Sequence, residues 1–209
     1  MAFLLVQSNE NLLWVYPLKT LAVAGALWYF RRDYEELRPS FSPLAVIVGL
    51  VAIAIWIGID RFYPKVDELL MSFERVLSQI MHSPPPKGGL PVPFDPSGRH
   101  AFIPFRIVGA VAVVPVMEEL FWRAFLVRWL VDEDFKRVPI GNFTWPSFAI
   151  TVALFGAEHN QWLAGLICGA LYNWLLYRTR SVFACIVAHA VSNAALAAWV
   201  LARGDWKFW

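Results

Sequence analysis

Apolar residues arrive along the chain in six runs, at about 12–30, 43–62, 102–131, 147–162, 163–178 and 181–202, separated by charged or proline-rich stretches. The longer runs match the roughly 20 residues a helix needs to cross a hydrocarbon layer about 30 Å thick. The fourth and fifth are short and joined almost directly. Between the second and third, KVDELLMSFERVLSQIMH places Val66, Leu69, Leu70, Phe73, Val76, Leu77, Ile80 and Met81 at three–four spacing. That pattern predicts an amphipathic helix lying in the membrane interface. The segment that follows, SPPPKGGLPVPFDPSG, reads as an extended, polyproline-like spacer. The expected architecture is therefore all-α: a polytopic membrane helix bundle of about six transmembrane helices plus one interfacial helix. It divides into 1–101, with the first spans, the amphipathic helix and the proline loop, and 102–209, a helical core.

Composition supports the membrane reading. Of 209 residues 58% are hydrophobic and 16% charged, against about 45–50% and 25% in soluble domains. The net charge of +2 comes from Lys and Arg scattered through loops, which excludes a nucleic-acid-binding stripe. Cys168 and Cys185 lie in separate apolar runs without C-x-x-C spacing and read as small core hydrophobes. Ala22-Val23-Ala24 resembles a signal-peptidase site, but the first eighteen residues hold no Lys or Arg, and Arg31 and Arg32 follow the apolar run. A retained first span is expected. Arg31, Arg32, Arg38, Arg128, Lys136, Arg137, Arg178 and Arg180 fall on one side of the membrane. Arg61, Lys65, Arg75, Lys87, Arg99, Arg203 and Lys207 fall on the other, the first five of them in a long loop. That balance places both termini outside the cytoplasm.

The chemistry is in polar residues that interrupt the apolar runs. GAVAVVPVMEELFWRAFLVRWLV holds Glu118, Glu119 and Arg123, and each charge inside a bilayer costs at least about 2.5–3.5 kcal/mol. His159 interrupts ALFGAEHNQW; His189 and Asn193 interrupt CIVAHAVSNAAL. At ~1.5 Å per helical residue, Glu118, His159 and His189 lie roughly 20, 18 and 12 Å along their spans, all in the middle third of the membrane. Three helices can thus bring them together. Each motif is an i,i+4 pair sharing one helix face. Glu119 and Arg123 form an ion pair within the turn, which leaves Glu118, about 100° around the helix, as the carboxylate free to take and return a proton. Pro115 loosens the helix just before it. Phe155 stacks over His159, and His189 with Asn193 supplies two neutral donors suited to an oxyanion. A water between Glu118 and His159, attacking a carbonyl held by His189 and Asn193, makes a peptide hydrolase without a serine, threonine or cysteine nucleophile.

In that order, E-E-x-x-x-R at Glu118–Arg123, F-x-x-x-H at Phe155–His159 and H-x-x-x-N at His189–Asn193 resemble the CAAX prenyl protease and bacteriocin-processing (Abi) family of intramembrane glutamate proteases. LYNWLLYRTRSVFACIVAHAVSN is also similar to that family's approach to its last motif. The resemblance covers about 103–197. It implies that Glu118 and His159 activate the water, that His189 and Asn193 form the oxyanion hole, and that Glu119 and Arg123 support them. It implies a multi-pass protein, expected in a bacterial inner membrane, whose partners are the bilayer and a protein or peptide substrate cleaved near its membrane-embedded or lipidated end. Two residues depart from the family: Glu158 stands where small or apolar residues are usual, and Arg180 where a glycine is frequent. No cofactor and no metal are expected, since H-E-x-x-H is absent and Arg123 repels a cation beside the carboxylates. The alternatives are a zinc-dependent intramembrane protease, with two glutamates and two histidines as ligands, and a non-proteolytic immunity or scaffold member of the same fold. The sequence selects no particular substrate and no oligomeric state.

Overall fold

The structure, a computed structural model, describes residues 12–82 and 102–208. The proline-rich spacer expected at 83–98 lies outside the described residues. Within them the protein is all-α, without strands. Helices α1 (Leu12–Tyr29), α2 (Pro43–Ile59) and α3 (Val66–Ile80) come first. A helical rod over 102–129 follows, in which α4 (Phe102–Val108), α5 (Val114–Glu119) and α6 (Val127–Trp129) are joined by π-helical segments at Gly109–Val113 and Leu120–Leu126. The chain then forms α7 (Trp145–Ala157), α8 (Trp162–Thr179) and α9 (Val182–Arg203).

Local signals set several of the ends. Thr144 caps α7 by accepting from the Ser147 N–H, and Ser181 caps α9 from the Ala184 N–H at 3.1 Å. Gly204, at φ +66°, closes α9 in the left-handed conformation. Arg180 does the same for α8 at φ +50° and donates its N–H to the Leu176 carbonyl at 2.7 Å. A side chain in that conformation costs on the order of 1–2 kcal/mol, which explains why glycine suits this position.

Helix α2 packs on α9 and α8; α7 and α8 form an antiparallel hairpin; α5 and the first π segment lie against α9; α1 covers that π segment. Glycines permit the closest approaches. A Cβ at Gly49 would collide with the Ala188 carbonyl oxygen and stand 2.9 Å from Val191 Cβ, and one at Gly165 would stand 3.0 Å from Gly156 Cα. Gly49→Val is therefore expected to push α2 off α9 and to cost about 1–3 kcal/mol. Thermal unfolding of the detergent-solubilised protein measures it, and an unchanged midpoint would show that α2 does not seat there.

By length and composition, Pro43–Ile80 and Val182–Arg203 are apolar enough to cross a membrane, with Trp145–Ala157 a shorter apolar helix. Among the described residues those two pass this test, so the six spans expected from the sequence are not confirmed by it. The rod over 102–129 carries Arg106, Glu118, Glu119, Arg123 and Arg128 within its apolar run. The amphipathic helix forms as expected, with Leu69, Leu70, Phe73, Val76, Leu77 and Ile80 all exposed on α3. Its first turn is tied to the α7–α8 connection: Val66 N–H donates to the Asn160 carbonyl at 3.1 Å and Asp67 N–H to Asn160 Oδ1 at 3.0 Å.

Candidate active site

Pro115 shapes the rod around the two glutamates. In the π segment before it, the Val114 N–H reaches back to the Gly109 carbonyl. The next donor in that register would come from residue 115, and proline has none, so the Ala110 carbonyl is left without its helical partner. Asn193 of α9 supplies it, Nδ2 donating to the Ala110 oxygen at 2.8 Å. One of the two Asn193 amide hydrogens thus stitches α9 to the rod, and one remains. Glu118 and Glu119 then fall in the last turn of α5, between two π segments. Such segments mark places where the helix ladder is locally respaced.

Glu119 is 0% exposed and Arg123 1%, and Arg123 Nη1 lies 3.1 Å from Glu119 Oε1. The predicted i,i+4 pair is present, but it has a third member. His189 Nδ1 lies 2.8 Å from the same oxygen. Arg123 also donates to the Gly169 carbonyl at 3.4 Å, and its guanidinium lies over the rings of Phe155 (4.6 Å) and Tyr172 (5.3 Å). A weakly hydrated guanidinium suits such an aromatic box. Phe155 reaches this position because Gly169 leaves room: a Cβ there would stand 3.2 Å from its ring.

Glu118 faces the other way, into a cavity of about 230 Å³ lined also by His159, His189, Asn193, Phe155, Tyr172 and Trp56. Its Oε2 is buried and has no hydrogen-bond partner among the described residues. The sequence puts His159 inside a span; in the structure it lies beyond the end of α7 at Ala157, in the turn to α8. The helix stops there because the chain must reverse to lay Gly165 against Gly156. His159 Nδ1 is 2.6 Å from the Phe155 carbonyl oxygen, and its ring contacts Phe155 at 4.8 Å and Trp56 at 5.3 Å. A carbonyl only accepts, so Nδ1 carries the hydrogen and, in the neutral ring, Nε2 keeps its lone pair. Glu158 turns toward the site rather than away. Carboxylate oxygens of Glu118 and Glu158 and a ring nitrogen of His159 all lie within 4.8 Å of one another.

The cavity thus gathers Glu118, His159, His189 and Asn193, with Glu119 and Arg123 behind them. Sequence reasoning misses Tyr172 and Ser192. The Tyr172 ring stacks on His189 at 5.4 Å, its hydroxyl is 2.5 Å from Ser192 Oγ, and the Ser192 hydroxyl donates to the His189 carbonyl at 2.9 Å. The available signal is Tyr172-Asn173 in the middle of an apolar run; Asn173 Nδ2 donates to Thr151 Oγ1 at 2.8 Å and clamps α8 to α7. Both cysteines are buried and free, as expected.

The type II CAAX prenyl endopeptidase Rce1-like family has a model that matches residues 100–195. No curated protein and no solved structure matches the chain. The matched segment contains all three polar motifs, while Trp56 of the cavity wall comes from outside it. Over residues 100–195, a little under half of its length, the chain is similar to the Rce1-like type II CAAX prenyl endopeptidase family.

Proposed function

We propose that the protein is a multi-pass intramembrane endopeptidase. It hydrolyses a peptide bond near the membrane-embedded or lipidated end of a protein substrate, with 102–209 as the catalytic core. The observation that carries this reading is the Glu118 carboxylate, whose buried Oε2 has no hydrogen-bond partner among the described residues, with a ring nitrogen of His159 no more than 4.8 Å from it. One water bridges two such groups, each within hydrogen-bond reach of it. Glu118 takes the proton of that water as its oxygen attacks the carbonyl carbon, and His159 Nε2 holds it in line. The proton returns from Glu118 to the leaving nitrogen as the C–N bond breaks. The remaining N–H of Asn193 is one donor for the oxyanion. His189 gives a second through Nε2 only when its ring carries both protons, because Nδ1–H is spent on Glu119. Glu119 is the anion beside such an imidazolium, which gives the pair of glutamates two distinct tasks.

The test is a comparison of membrane proteomes from wild-type and Glu118→Gln cells. The expected result is a membrane protein whose terminus is shortened only in the wild type; identical termini throughout would remove the proposal.

A second reading is favoured by one observation. Glu118, Glu158 and His159 offer two oxygens and a nitrogen within 4.8 Å, the donor types and number that a catalytic zinc takes from protein while keeping a fourth position open. His159 Nδ1 on the Phe155 carbonyl is also the kind of outer bond that orients a metal-binding histidine. The metal-free mechanism predicts that a chelator leaves peptide hydrolysis by the purified protein unchanged. Loss of activity on chelation, restored by zinc, would establish the metal enzyme instead.

A further inference from the structure

The stretch after α9 returns to the cavity. Gly204 turns the chain, Asp205 follows, and a 3₁₀ turn spans Trp206–Phe208. Phe208 lines the cavity that holds Glu118 and His159, and it also lines a neighbouring hollow beside Tyr16 and Arg106. On one flank Trp206 packs with Tyr16 and Phe102. On the other, Lys207 Nζ lies 2.8 Å from Asp60 Oδ2, just past the end of α2. The segment is therefore held at Trp206 and at Lys207, and Phe208 beside them joins the cavity lining.

The clasp is built to release. Asp60 is buried, and a buried carboxylate that loses its only cation is strongly destabilising. Asp60 has a second cation: Lys65 Nζ stands 3.3 Å from Oδ1 and also donates to the backbone carbonyls of Asp60 and Tyr63. Lys207 can leave without orphaning the carboxylate. Its own side chain is 52% exposed, so water competes for the ammonium at that end of the pair. Phe208 is only partly buried. These are weak contacts, and they keep Phe208 in the lining of the cavity that holds Glu118.

We propose that Asp205–Phe208 occupies, in the resting protein, the place at the cavity mouth that a substrate segment takes. Asp60 then selects a basic side chain in the substrate, and the cavity accepts the large apolar residue next to it. This inference rests on the peptidase reading of the cavity, and it makes the segment an intramolecular competitor that substrate must displace. The experiment uses full-length Glu118→Gln protein in lipid nanodiscs, which binds without cutting. The probe is a fluorescent peptide, Asp-Trp-Lys-Phe, blocked at both ends. If the closed form dominates, apparent affinity is reduced by the fraction of molecules that are open. Adding Phe208→Ala should therefore tighten binding by about tenfold where nine in ten molecules are closed. The probe with Glu in place of Lys should bind poorly, and Asp60→Lys should reverse that preference. Equal affinity with and without Phe208→Ala, no binding to either protein, or indifference to the Lys-to-Glu exchange would overturn the inference. Because the readout is binding, it separates the two claims: a protein that binds as expected but whose Glu118 form never cuts a peptide loses the peptidase reading and keeps the strap.

Discussion

Glu118→Gln should lower the rate of peptide hydrolysis by about 10²–10⁴-fold, the contribution of a positioned proton-transfer group, while leaving the thermal unfolding midpoint essentially unchanged. The substitution keeps the shape of the side chain and removes the base. Glu118 Oε2 has no hydrogen-bond partner among the described residues, so no structural bond is lost. Assay of purified protein in micelles against a peptide substrate measures the first quantity, and a melting curve the second. The same variant in cells decides a separate question. If it retains full biological activity, the protein acts as an immunity or scaffold factor and the cavity is not used for hydrolysis.

Arg123→Met should have the largest effect on stability, about 3–5 kcal/mol, because removing one partner of a buried pair leaves the other charge uncompensated. Glu119 is 0% exposed and, among the described residues, would keep only His189 beside it. The guanidinium also fills the space between Phe155 and Tyr172, so methionine, of similar length and apolar, is the substitution that isolates charge from packing. Glu119→Gln combined with Arg123→Met should recover much of the loss, since no buried charge then stands alone. Chemical or thermal unfolding in detergent reports both. A single variant as stable as the wild type would show that this charge cluster does not hold the bundle together.

The contrast between these two glutamates is legible in the sequence. They are adjacent, and helix geometry alone assigns one to Arg123 and turns the other away. The amphipathic character of α3 is legible for the same reason: its apolar residues recur within four of one another. The three motifs are recognisable as a set because charged and polar side chains are costly in an apolar run wherever they fall.

The pairing between helices is not legible in this way. Spacing groups His189 with Asn193, its neighbour on α9, but its hydrogen bond goes to Glu119, 70 residues away, and that of Asn193 goes to Ala110, 83 residues away. Those partners are fixed by how far one helix slides along another, and that register is set by close contacts such as Gly49 on Ala188 and Gly169 on Phe155. The placement of His159 beyond its helix, the stacking of Tyr172 and the place of Phe208 in the cavity lining follow from the same packing. Spacing along one helix is enough to say which residues are too polar for their surroundings and which local pairs neutralise them. Which atoms face one another across helices is settled in the packed bundle and nowhere earlier, because steric fit between small and large side chains has no signature along a single chain.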